Sequence, residues 1–195
     1  MKKSRIAVGG RRIAGVLVLV LALAMAPAAR AAENAVVLKR QMLDFERTLT
    51  LTLAQMFENR PFAVLQEPKS VYLPGFGAVL HTEVNLYPMR FLLPFDQPSY
   101  SEKEIKTERE QMIQRLKELE TRLRELLLAQ STALAQLGGH ENIAIVIHLF
   151  NPRQVPEIPG QVVAQARRQA LLDLQADGRK PAAADLTRVV SLRGF

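Results

Sequence analysis

The chain contains no cysteine and no tryptophan, and only three tyrosines and eight phenylalanines in 195 residues. Without thiols there is no disulfide framework, no thiolate nucleophile and no cysteine-bound metal centre, so the core must hold by packing. Few aromatics and no tryptophan argue against a platform on which sugars or bases stack. Phosphate-binding signatures are missing too. The glycine-containing stretch "YLPGFG" (72–77) leads into a strand pattern, not into a helix N-terminus or a Gly-Lys-Ser/Thr ending. No Gly-X-Ser-X-Gly elbow occurs, and Ser70, Ser99, Ser101, Ser131 and Ser191 have no acid and base signature beside them. Catalysis by a nucleophilic side chain is therefore not expected, and no cofactor is implied.

What is present at the start is an export signal. Lys2, Lys3, Arg5, Arg11 and Arg12 precede an unbroken apolar run from Ile13 to Ala26, and small residues follow around Pro27. The run falls short of the roughly 20 residues a membrane-spanning helix requires, and Ala29-Arg30-Ala31 offers small side chains where a signal peptidase reads. A signal peptide over residues 1–31, cleaved after Ala31 with Ala28 as the other candidate, is expected. The destination is the periplasm or beyond, with no transmembrane segment in the mature chain. Six of the 26 basic residues and none of the 19 acidic ones precede Ala32, so the excess of +7 shrinks to about +1 after cleavage. The basicity is thus mostly the signal, and a nucleic-acid partner, which needs a clustered basic face, is not expected.

Residues 32–195 show no repeat period and read as one α+β domain. Asn34 is placed to cap a first helix in which Leu38, Met42, Phe45, Leu49, Leu53 and Met56 recur at three- and four-residue steps as far as Asn59, where Arg60-Pro61 stops it. Ser101 and Glu104 form a capping box that opens a long helix over about 101–137, and Gly138-Gly139 closes it. Ile105, Met112, Leu116, Leu119, Leu123, Leu126, Ala133 and Leu137 keep a seven-residue register, with Glu118–Arg122 and Glu120–Arg124 as i,i+4 pairs. Such a stripe serves either a coiled-coil seam between chains or a helix laid across its own sheet; the breadth at Leu126-Leu127-Leu128 favours the second.

Three stretches read as strands: Gly77 to Tyr87 by strict alternation, Asn142 to Phe150 as a central strand apolar on both faces, and "QVVAQA" from Gln161. Pro74-Gly75 suits a type II turn, and Gly77 a bulge or close contact. Helical pattern resumes at Arg168 to Gln175, and Pro181 opens a last short helix. The expectation is a small, mainly antiparallel sheet of three to four strands with helices on one face. The segment "LYPMRFLLPFDQP", with Phe91, Leu92, Leu93 and Phe95 between prolines, is either a partner-binding patch or packing on a sheet edge.

One candidate for chemistry remains. His81 and Glu83, two apart on a strand, point the same way, and His148 stands on a second strand, so the three are ligand types that suit zinc or iron. Bound metal would make Glu83 a ligand or general base of a hydrolase. The run "YLPGFGAVLHTEVNL" with the later "PGQVVAQARRQALLDL" resembles an uncharacterised family of secreted bacterial proteins, a resemblance that carries no activity. The signal, size and long helix are also similar, more loosely, to periplasmic chaperones with helical arms. The leading expectation is an exported, non-enzymatic protein that binds another protein, or itself, through the long helix or an apolar groove beside the sheet.

Overall fold

The computed structural model describes residues 11–58, 63–87, 101–151, 155–176 and 178–195, with side chains from residue 33 onward. Helix α1 (Arg11–Met56) is followed by β1 (Val64–Leu73) and β2 (Gly77–Val84), then α2 (Glu102–Ala133), β3 (Asn142–Leu149) and β4 (Gln161–Arg167), and finally α3 (Arg168–Gln175), α4 (Ala183–Val189) and β5 (Ser191–Gly194). The fold is α+β, as the sequence implies. The strands lie in chain order, β1-β2-β3-β4-β5, and every ladder is antiparallel except β2–β3. That parallel step exists because α2 carries the chain from the end of β2 back to the start of β3.

The sheet has five strands where three or four are expected, and both additions stand at its edges. In β1, "VLQEPKSVYL", Pro68 sits within the strand and the pairing with β2 shifts on both sides of Gln66. Proline supplies no ladder N–H, which an edge strand tolerates and a bulge accommodates. Alternation is lost there, and with it the sequence signal. β5 is four residues long, too short for any pattern to register.

Helix α1 begins well before Asn34, which is an interior, exposed position and not a cap. Helix α1 includes Pro27, which disfavours a helix interior, but every residue from Ala28 to Asn34 is compatible with a helix, and the backbone is helical from the apolar run into the amphipathic one. It ends at Met56, short of Asn59, through a turn in which Glu58 takes a positive φ of 53°. Met42, Phe45, Leu49, Leu53 and Phe57 are buried, one apolar stripe turned to the sheet.

Ser101 caps α2 as expected: its side chain accepts from the Glu104 amide at 3.3 Å, and the Glu104 carboxylate accepts from the Ser101 amide at 2.8 Å. The Ser101 hydroxyl, which donates to the Glu104 carboxylate at 2.7 Å, and the Ser101 amide hold that carboxyl below its ordinary value of 4.5. The helix stops at Ala133, four residues early, where Leu134 leaves the helical conformation with φ of -80° and ψ of 52°. The Arg168 guanidinium reaches this end, donating to the carbonyl of Ser131 in the last turn at 2.8 Å and to that of Leu137, beyond the helix, at 2.9 Å. Met112, Leu116, Leu119, Leu123, Leu126 and Leu127 are buried among the chain's own helices and strands, as is Leu137 beyond the helix end, whereas Ile105 and Ala133 of the expected stripe are exposed. Arg109, which interrupts the register, pairs with Glu157 of the β3–β4 loop, and the guanidinium depresses that carboxyl. Of the two i,i+4 pairs, Glu118–Arg122 forms at 3.8 Å, but Arg124 turns away from the Glu120 carboxylate and meets only its backbone carbonyl, at 3.3 Å.

Pro181 lies one residue outside the N-cap of α4, Ala182, not at its first helical position. The segment holding Phe91, Leu92, Leu93 and Phe95 lies outside the described residues.

Candidate functional site

The alternation of β2 and β3 separates the two faces of the sheet cleanly. Ala78, Leu80, Thr82 and Val84 on β2, and Ile143, Ile145, Ile147 and Leu149 on β3, are buried under the helices. The intervening residues form the opposite face, where most positions are half-buried or exposed. Register sets its rows. Val71, Val79, Ala144, Gln165 and Ser191 stand in line across the strands, and Lys69, His81, Val146, Val163 and Arg193 form the next line.

His81, Glu83 and His148 all belong to this face. Glu83 is the direct partner of His148 across the parallel ladder, and His81 sits two residues back along β2, opposite Val146. The fold thus brings the three onto one surface. Among the described residues, no three His, Asp or Glu side chains stand together as metal ligands would. His140 lies elsewhere, in the exposed turn after α2.

A different feature draws the exposed apolar side chains together. Among the described residues β1 pairs only with β2, so its other side is an edge of the sheet, and α1 runs beside it. Glu46 of α1 occupies part of that edge: its carboxylate accepts from the Ser70 amide at 2.7 Å and from the Ser70 hydroxyl at 2.5 Å. Toward the turn end, α1 and β1 diverge into a cleft of about 560 Å³, whose lining includes Leu38, Met42, Leu43, Val71 and Tyr72. Leu43 and Val71 are each 44% exposed, as is Leu73 beside them on the strand. A hydroxyl at the cleft wall is already committed. Tyr72 donates to Glu141 at 2.7 Å, a bond to a carboxylate that raises the phenol above its ordinary value of 10.0.

The turn that joins β1 to β2 fixes this edge. Phe76 N–H donates to Leu73 C=O at 3.0 Å, Pro74 takes the first central position, and Gly75 has φ of 81° at the second, as a type II turn demands. Gly77, with φ of 130°, lets β3 approach: a Cβ there would overlap the Asn142 carbonyl and lie 2.8 Å from its amide nitrogen. Asn142 anchors to the turn through its N–H, 2.7 Å from Phe76 C=O, and through its side-chain amide at 3.2 Å. "PGFG" is therefore a structural turn.

The sequence pattern did not single out Val71, Tyr72 and Leu73, because strand β1 itself carries no clean alternation. Their apolar character just before a turn was the available signal. Among the described residues no helix is long and apolar enough to cross a membrane. The chain matches no protein-family model, no curated protein and no solved structure.

Proposed function

We propose that the protein is exported and acts by binding another protein, an extended apolar segment of which lies along β1 in the cleft beside α1. The observation that carries this reading is the cluster of exposed Leu43, Val71 and Tyr72 around a concavity at a sheet edge. Scattered apolar residues are ordinary on a surface, but a contiguous patch next to unpaired strand backbone is the setting in which a partner strand adds to a sheet. Backbone groups of β1 supply the pairing, and the cleft takes alternate side chains. Support for export comes from the N-terminal sequence: a basic start, an apolar run of signal length and Ala29-Arg30-Ala31.

A photo-crosslinking residue in place of Val71, in the exporting cell, tests the proposal. The expected result is one discrete adduct that Leu43→Glu abolishes and that a crosslinker at Arg188, on α4, does not give. An adduct of twice the chain's mass would identify the partner as a second copy. No adduct, or the same adducts from Val71 and Arg188, would overturn the reading.

The second reading, a metal-dependent hydrolase, is favoured by the Glu83–His148 register and by His81 on the same face. It requires one metal per chain in protein purified without chelators, lost in His81→Ala. Metal-free protein removes it.

A further inference from the structure

A second concavity lies away from the β1 edge, between α2 and the α3–α4 segment. Its volume is about 880 Å³, within the range of small-molecule sites. Leu128, Ala129, Pro181, Ala183 and Leu186 give it an apolar floor.

Most polar groups on its walls are already engaged. The Thr121 hydroxyl donates to Lys117 C=O at 3.0 Å and the Thr187 hydroxyl to Ala183 C=O at 2.9 Å, each within its own helix. Gln175 is used at both ends: its amide donates to Leu128 C=O at 2.7 Å, and its oxygen accepts from Thr132 at 3.0 Å. Glu125 lies 3.6 Å from Arg122, so that charge is balanced inside the groove.

Two cations are left over. Arg124 meets no carboxylate among the described residues, and its Nε is buried without a hydrogen-bond partner. Lys180 lines the same groove and makes no ion pair among the described residues. A buried guanidinium N–H left unsatisfied is costly, and an anion is what would satisfy it. A bare inorganic anion would leave the apolar floor wet.

We infer that this groove binds a single-chain amphiphile, with its carboxylate held by Arg124 and Lys180 and its alkyl chain on Leu128, Pro181 and Leu186. The site is separate from the β1 cleft and does not depend on it.

Titration of the full chain with 11-(dansylamino)undecanoate, followed by the probe's own emission, tests the inference. Saturable enhancement is expected, displaced by dodecanoate at least tenfold more effectively than by dodecanol. Arg124→Gln and Lys180→Gln should each weaken the probe about tenfold, the scale of one charge-assisted hydrogen bond. Ala129→Trp, at an exposed helix position, fills the groove without touching either cation and should abolish binding; Leu43→Glu, in the other cleft, should leave it unchanged. Equal competition by dodecanol, full affinity in folded Arg124→Gln/Lys180→Gln protein, or binding that survives Ala129→Trp would each overturn the assignment.

Discussion

Gly75 and Gly77 stand two residues apart and differ in what each permits. Gly75 needs only its positive φ and has open space around it, whereas Gly77 combines a φ of 130° with the backbone of Asn142 against its Cα. Gly75→Ala should therefore cost about 1 kcal/mol, the usual penalty of left-handed backbone, and Gly77→Ala on the order of 3 kcal/mol or more, from strain and overlap together. Urea denaturation of the two variants checks the ordering, and equal losses would mean that β3 does not depend on the close approach. The capping box gives a residue-scale test by pH. Glu104 has a folded value below the ordinary 4.5, so its contribution is fully present above that value and disappears as pH falls through the lower, folded one. The melting-temperature gap between the native protein and Glu104→Ala should be open at neutral pH and closed in acid. Ser101→Ala should cost about 1 kcal/mol at neutral pH.

At the scale of elements, α2 decides the architecture. It returns the chain to the start of the sheet, so β3 joins β2 in parallel, and its stripe from Met112 to Leu127 fills the core over the strands. Leu119 is fully buried within that core. Leu119→Ala should lower stability by about 2–5 kcal/mol, and the loss should be the same at micromolar and millimolar protein. A loss that shrinks as concentration rises would instead place Leu119 in a seam between chains. The periodicity of α2, its capping box and the alternation of β2 were legible in the sequence, because each is set by a local repeat of 3.6 or 2 residues. Edge strand β1 was not: Pro68 and the bulges beside it erase the repeat, and only pairing with β2 makes the segment a strand. The early end of α2 was also hidden, since Arg168, which takes the Ser131 carbonyl of its last turn, lies more than thirty residues further along the chain.

For the whole molecule, charge and export belong together. Processing after Ala31 would remove six basic side chains and leave a nearly neutral protein, so the mass of the chain recovered outside the cytoplasm should correspond to a start at Ala32. A mass equal to the full chain would mean that the N-terminal segment is retained. Native mass spectrometry of the same sample reads metal and copy number at once, and a bare chain would leave the β1 cleft and the α2–α4 groove as the surfaces to pursue. The sequence by itself determined the α+β class, the identity of the long helix and the buried face of β2, because spacing along a chain is enough to say which side chains share a face. It also placed His81 and Glu83 on one side of a strand. Opposing His148 to Glu83, making β1 an edge strand, opening a cleft between α1 and β1, and leaving Arg124 without a carboxylate among the described residues needed the tertiary structure. Each joins residues distant in sequence, and inter-strand register and helix-to-strand distance are set by packing, which no local pattern encodes.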